Sequence, residues 1–358
     1  FVRGITTTDW TGLRENEYRP LSNKSVSDAY PPGSTFKMVV ALAAREADVI
    51  KPNETVFCPG HYDLGGRRFH CWKRGGHGRI NMVDSLKHSC DVYYYEVAKR
   101  VGIEKIAEKA VQLGLGEKFD IPLPAMSSGL VPNKAYKQRV FDQGWLQGDT
   151  LNAGIGQGFV LISPVQLAVM TARIASGKAI SPRLVRTIDG KPQPNPSAAT
   201  LDIQSADIDI VRKGMFAVMN ENKGTAYSQR IDDKEKLFAG KTGTSQVRRI
   251  TTEERQAGAI KNEDLPWERR DHALFVGYAP YDNPRYAIAV VVEHGGGGSA
   301  VAAPIARDIM MRALYGDVPP LSAYPAAERN RIRGERERAQ EEAMQSGITP
   351  PLARSDRL

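Results

Sequence analysis

The sequence predicts a mixed α/β fold, rich in helix for its first two thirds and in strand near its end. Two observations predict it. Up to about residue 222 apolar residues recur mainly at helical spacing, as in STFKMVVALAAREADVI. After that, KLFAGKTGTSQV, HALFVGYAP and RYAIAVVVEHG are β-branched and aromatic runs bounded by Gly, Pro and Asp, the pattern of strands. With 358 residues, 41% of them hydrophobic, the chain can bury a substantial core, as one large domain or two modest ones.

Residues 1 to 30 are polar and turn-rich. Pro32-Gly33 then leads into a helix starting at Ser34, whose apolar side carries Phe36, Val39, Val40 and Leu42. Between Val56 and Ile80 the text FCPGHYDLGGRRFHCWKRGGHGRI is too irregular for a helix and too long for a tight turn, so something must hold that loop. NMVDSLKHSCDVYYYEVAKRVG reads as one helix carrying Ser89 and Asp91, and GIEKIAEKAVQLGL as a second, stopped by glycine. A Gly-rich loop follows, then a helix opened by Ser163-Pro164 and another over 205 to 222. Three strands and the helix AVAAPIARDIMMRALYG end the domain. Residues 317 to 358 form a densely charged tail with few apolar anchors, expected as a solvated helix or disordered segment.

A balance of 49 Lys plus Arg against 41 Asp plus Glu gives a net charge of +8, which favours anionic surroundings without choosing among them. A nucleic-acid binder would also need aromatic and basic residues interleaved on one surface, and no such pattern is present. No run of about eighteen apolar residues spans a bilayer, and a start at Phe1 without Met or a signal-like segment suggests a fragment, so that any anchor would lie upstream.

The chemistry concentrates in three short motifs. Ser34 and Lys37, at i and i+3, share one face of a first helical turn. A serine there sits at the positive end of the helix dipole, near N–H groups able to bind an oxyanion. A lysine buried among Phe36, Val39 and Val40 loses charge on desolvation and becomes a base able to take the serine proton. One Ser-x-x-Lys is expected by chance in a chain of this length, and the plain alternative is an N-cap serine with a snorkelling lysine. Lys241, Thr242, Gly243 and Thr244 place a cation and hydroxyls beside a glycine on a strand, a receptor for a peptide carboxylate or simply a turn between strands. Ser89 and Asp91 could relay a proton between Lys37 and a leaving amine, although Ser-x-Asp alone is common on surface helices.

In the order Ser34-Thr35-Phe36-Lys37, Ser89-Cys90-Asp91, Lys241-Thr242-Gly243, these motifs resemble those of the penicillin-binding proteins and serine β-lactamases. RPLSNKSVSDAYPPGSTFK, LNAGIGQGFVLISPVQLA and DHALFVGYAP are similar to class B penicillin-binding proteins, and CPG…WK…GHGRIN…SLKHSCD to their elongation-type members, over residues 1 to 316. The resemblance implies a serine β-lactamase/DD-peptidase-like fold: an antiparallel sheet flanked by helices, with a helical subdomain over about 50 to 180 that includes a 58 to 90 zinc loop. Family members begin the sheet with two strands that should precede Phe1, so only the later three are expected. The implied activity is that of a DD-transpeptidase acting through an acyl-serine and acylated by β-lactams. Ser34 would be the nucleophile, Lys37 the base and Ser89 the relay; Lys241, Thr242 and Thr244 would hold the carboxylate, and the N–H groups of Ser34 and Thr244 the oxyanion. Partners implied are peptidoglycan stem peptides, a SEDS-type glycosyltransferase and elongation-complex proteins, on the periplasmic side of the inner membrane. Asp91 stands where the wider family has Asn; it can serve as a counter-ion to Lys37, and elongation-type members tolerate it. A serine β-lactamase, a DD-carboxypeptidase or a β-lactam sensor on the same fold is the alternative, though no acidic residue clearly activates a deacylating water.

All three cysteines, Cys58, Cys71 and Cys90, fall in one region with His77, at spacing C-x12-C-x5-H-x12-C. Cys₃His satisfies tetrahedral Zn²⁺ with no open position, the mark of a structural site, while a disulfide plus one buried thiol is the competing reading. The spacing matches no compact zinc finger. The resemblance implies zinc, with His61, His70 and His88 as nearby substitutes. His272 is read as packing or hydrogen bonding, since the family needs no histidine base.

Overall fold

A computed structural model of the chain describes residues 4–194, 197–248, 254 and 260–345. Helices α1 (Thr7–Arg14) and α2 (Lys24–Ser27) lead to a 3₁₀ turn, Gly33–Phe36, that continues directly into α3 (Lys37–Glu46). Eight consecutive residues of α3, Lys37 to Ala44, are buried, so this helix is the axis of the core rather than an amphipathic surface element. The sequence places the α-helix start at Ser34; the 3₁₀ turn there keeps Ser34 and Lys37 three residues apart but winds the first turn more tightly.

The segment expected as an irregular loop forms two small antiparallel pairs. β1 (Val56–Cys58) pairs with β4 (Gly78–Ile80), and between them β2 (His61–Leu64) pairs with β3 (Arg67–His70). Leu64 opposes Arg67, so Gly65-Gly66 is a two-residue hairpin loop with both φ positive, at 56° and 77°. That dipeptide was the readable hairpin signal, and the subdomain is therefore helical with four short strands, not all-helical.

Helices α4 (Met82–Lys87), α5 (Asp91–Val101) and α6 (Ile103–Gln112) follow, then α7 (Lys134–Phe141), α8 (Gln147–Gly154) and α9 (Pro164–Ser176). The single helix expected over 81 to 102 is broken between α4 and α5. Ser89 takes φ 54°, and Cys90 becomes the N-cap of α5, its Sγ accepting from the Tyr93 N–H at 3.5 Å. A minor hairpin, β5 (Thr187–Ile188) and β6 (Lys191–Pro192), precedes α10 (Ser205–Asn220). Among the described residues the central sheet has three antiparallel strands in the order β7 (Ala239–Ser245), β8 (His272–Ala279), β9 (Tyr286–Val292), the number the sequence predicts. The last helices are α11 (Ala303–Tyr315) and α12 (Ala326–Gln345). One face of the sheet packs on the core built around α3, α5 and α9; the other closes against α11.

The charged tail is helical over α12, as one of the two expectations had it, but it is not free. Tyr324 and Ile332 are buried, and the Tyr324 ring lies between the guanidinium groups of Arg307 and Arg336, at 5.1 and 5.4 Å from its centroid. Two apolar anchors suffice because α11 supplies their sockets. Residues 346 to 358 lie outside the described residues.

Candidate active site

The position of Ser34 is set by backbones in close contact. Gly33 has φ 53° and its N–H donates to Gly156 O at 2.9 Å; a Cβ there would lie 2.6 Å from Thr244 O. Only glycine lets the 3₁₀ turn sit this close to β7. Gly243 has the reciprocal task, since a Cβ on it would meet Thr35 Cγ2 at 3.0 Å and Pro32 O at 3.1 Å. Thr35 Oγ1 fastens the turn by donating to Pro32 O at 2.7 Å. Ser34 thus faces a cleft of about 1550 Å³, whose lining includes Ser89, Asp91, Thr242, Gly243 and Thr244.

Lys37 is fully buried, and its Nζ donates to Asp91 Oδ1 at 2.7 Å, Ser89 O at 2.9 Å and Ser89 Oγ at 3.2 Å. Three acceptors match the three N–H bonds of an ammonium. The sequence reading has Lys37 bonded to Ser34 and discharged by burial; here the Asp91 carboxylate pairs with it and draws it to the Ser89 side. Asp91 is the counter-ion, one of the two roles open to it, and its Oδ2 accepts from the Trp72 N–H at 2.9 Å.

Lys241 is equally buried but has no carboxylate partner, and its Nζ donates to Ser89 Oγ at 2.9 Å and Thr242 O at 3.0 Å. Burial first, and then the neighbouring Lys37 cation, push its amine well below the ordinary lysine value, with Asp91 opposing. Lys241 stands behind the cleft wall, while Thr242 and Thr244 present their side to the cavity. Ser89 Oγ lies between the two lysine nitrogens, able to accept from one and donate to the other as a proton moves. Thr242 Oγ1 is 2.9 Å from Thr225 Oγ1, and Ser299 Oγ donates to Thr225 O at 2.6 Å, so the receiving wall is braced from α10's end and from the loop before α11.

Trp72 was missed by the sequence reading. Its N–H holds Asp91 and its indole Nε1 donates to His88 O at 3.0 Å and Ser89 O at 3.1 Å, which pins the Ser89 turn from outside. Nothing in the motif spacing signals this, because the contribution runs through carbonyl groups. His272 closes no catalytic contact: its Nδ1 accepts from the His294 N–H at 2.9 Å, and its ring packs on Tyr30 and His294, as the packing role expected.

Cys58, Cys71, His77 and Cys90 converge, their ligand atoms all within 4.8 Å of one another, and the three thiols are free and buried. Cys58 Sγ and Cys71 Sγ each lie 3.6 Å from His77 Nδ1. Hydrogen bonding from the Cys90 thiol draws Cys58 down to about 6 and Cys71 lower still, and pushes Cys90 up. Readily ionised thiols around one imidazole nitrogen, with no disulfide formed, are the donor set a soft divalent cation takes, so the residues fit zinc. His61, His70 and His88 stand outside this ligand set; His88 stacks on His77 at 6.1 Å between centroids.

Residues 6–311 match the model of the penicillin binding protein transpeptidase domain. The chain belongs to the penicillin-binding protein transpeptidase family. This transpeptidase domain is 35% identical over 333 residues to the peptidoglycan D,D-transpeptidase MrdA of Haemophilus influenzae, covering 90% of this chain and 50% of that protein. It is 36% identical over 325 residues to MrdA of Escherichia coli K12, covering 88% and 50%. The chain thus spans about half the length of the curated relatives it matches. Pseudomonas aeruginosa PBP2, solved in complex with WCK 5153, superposes with a TM-score of 0.76 at 36% identity, covering 90% of this chain and 67% of that one. Helicobacter pylori PBP2, solved in complex with MreC, superposes at 0.75 and 35%, covering 87% and 54%. The β-lactamase/DD-peptidase-like fold of these neighbours is the one expected from the three motifs.

Proposed function

We propose that the domain is a peptidoglycan DD-transpeptidase serving cell-wall elongation and cell shape. Ser34 Oγ attacks the carbonyl of the penultimate D-Ala of a stem peptide while its proton passes to Lys37, which yields one of its own through Ser89 to Lys241. The tetrahedral oxyanion accepts from the Ser34 and Thr244 N–H groups. Collapse breaks the peptide bond, and Ser89, supplied by Lys37 and Lys241, delivers a proton to the departing D-Ala amine. An amine from a second strand then attacks the acyl-serine, the C–N bond forms, the C–Oγ bond breaks, and Ser34 recovers its proton. Thr242 and Thr244 hold the substrate carboxylate, with Lys241 behind that wall and Gly243 giving close approach. β-Lactams acylate Ser34 by the same route.

The observation that carries this reading is the convergence of Ser34, the Lys37–Ser89–Lys241 chain and the β7 threonines on one cleft. Cys58, Cys71, His77 and Cys90 would hold a structural Zn²⁺, which when bound supplies a fixed cross-link and no reacting group. Because Cys90 lies between Ser89 and Asp91 in the chain, that cross-link would hold the second motif in place. The substrate places the domain on the periplasmic side of the inner membrane, held by a segment outside this chain. The Helicobacter pylori complex with MreC supports partners of the elongation machinery, to which we add a SEDS-type polymerase.

Labelled penicillin should modify Ser34, and Ser34→Ala should abolish the label. Cross-linking of a stem-peptide donor to an amine acceptor separates a transpeptidase from a drug sensor or a DD-carboxypeptidase. Label on any other residue would overturn the assignment.

A further inference from the structure

The receiving wall has one member that no motif supplies. Thr225, in the loop after α10, lines the cleft, and its Oγ1 lies 2.9 Å from Thr242 Oγ1. Its main chain is tied on both sides: the N–H donates to Lys87 O at 3.2 Å, at the end of α4, and the C=O accepts from Ser299 Oγ at 2.6 Å. The residues around these ties are packed without slack. A Cβ on Gly224 would lie 2.4 Å from Ala217 O and from Val218 O, and one on Gly298, beside Ser299, would lie 2.2 Å from Gly243 O. Ala226 is fully buried, with its N–H on Val218 O at 3.1 Å. Threonine is stiff about χ1 as well, so the Thr225 oxygen stays where the backbone puts it and only its hydrogen turns. Among the described residues that hydroxyl has Thr242 as its hydrogen-bond partner and no other.

A hydroxyl has one hydrogen to give, and a carboxylate can only accept. For Thr242 to bond a carboxylate in the cleft, its hydrogen must point at the ligand, and the contact with Thr225 must then run from Thr225 to Thr242. The reverse arrangement spends the Thr242 hydrogen inside the wall. In the productive order, Thr225 to Thr242 to carboxylate, each bond polarises the next. We infer that Thr225 is a positioning residue: it donates to Thr242 Oγ1, turns the Thr242 O–H toward the terminal carboxylate of the donor strand, and so sets the preference of the cleft for ligands that end in a carboxylate. The inference rests on the transpeptidase reading, in which Thr242 and Thr244 receive that carboxylate. Thr225 acts through Thr242 and not on the reacting atoms.

The test compares acylation of Ser34 by benzylpenicillin, whose carboxylate is free, with acylation by its methyl ester, which keeps the β-lactam ring and lacks the anion. The readout is the ratio of the two second-order rate constants, taken within one protein so that any general loss of reactivity cancels. Thr225→Val removes the hydroxyl at nearly constant volume and should cut that ratio about five- to ten-fold, the worth of one hydrogen bond net of hydration. Thr225→Ser, which keeps the hydroxyl, should restore it. In a Thr242→Val background, Thr225→Val should cut the ratio no further, because the path through Thr242 is already gone. An unchanged ratio in Thr225→Val, a loss falling equally on both ligands, no rescue by serine, or a full loss persisting in the Thr242→Val background would overturn the inference alone. Failure of benzylpenicillin to acylate Ser34 in the unaltered protein would overturn the transpeptidase reading, and the inference with it.

Discussion

Replacing Asp91 by asparagine keeps the shape of the second motif and removes its charge. The perturbation is well defined because two ion pairs of the same length can be compared. Lys37 Nζ to Asp91 Oδ1 and Lys87 Nζ to Glu221 Oε2 are both 2.7 Å, but the side chains of the first pair are 0% and 12% exposed and those of the second 14% and 47%. At an effective dielectric near 20, unit charges 2.7 Å apart attract by about 6 kcal/mol, much of it offset by lost hydration. Deleting one partner of a buried pair costs about 3–5 kcal/mol, and the asparagine oxygen can still accept one of the bonds, so we expect about 3 kcal/mol. Unfolding entropy near 2 cal/mol/K per residue sums to about 0.75 kcal/mol/K for this chain, which makes the expected loss about 4 °C in Tm by calorimetry. Glu221→Gln should move Tm by less than about 1 °C, since exposed pairs contribute little. If Asp91→Asn shifted Tm no more than Glu221→Gln does, the counter-ion role assigned to Asp91 would be wrong.

Three further outcomes follow from the same structure. Gly33→Ala adds a Cβ 2.6 Å from Thr244 O at φ 53°; it should slow penicillin acylation of Ser34 at least about ten-fold through displacement of the turn, and an unaltered acylation rate would contradict the close-contact account. Metal-free protein, verified by elemental analysis, should melt at lower temperature and acylate more slowly, whereas unchanged acylation would separate the cysteine cluster from catalysis. Burial, aided by the His294 charge, holds His272 down at about 4 in the folded protein. The unfolded chain therefore takes up that proton first as pH falls, so the contribution is complete above about pH 7 and is lost between about 6.5 and 4. Allowing for partial exposure it is about 2 kcal/mol, and urea titrations at pH 7 and pH 4.5 should show a smaller pH dependence in His272→Gln.

The three motifs that line the cleft were legible because each is confined to three or four consecutive residues. Their mutual arrangement was less so. That Lys37 faces Asp91 while burial pushes the Lys241 amine down depends on which amine the fold brings nearest a carboxylate, and no local spacing encodes that. The break at Ser89 was hidden because φ 54° at a serine has no glycine to announce it. β1 and β4 are three residues long, too short for alternation to register, and the Gly65-Gly66 dipeptide that turns the hairpin between them was passed over as part of an irregular loop. The docking of Tyr324 and Ile332 was obscured by the charges around them, since one buried residue per turn or two leaves a segment looking soluble throughout.

The junction of Gly33, Gly156 and Thr244 has a mechanical consequence. Main chain meets main chain there with no side chain between to act as a cushion, and a Cβ on Gly156 would sit 2.2 Å from Gly33 O. The turn carrying Ser34, the loop beneath it and the sheet edge must therefore travel as one block. Any widening of the cleft has to come from the hairpin side, leaving Ser34 and the β7 threonines in fixed register.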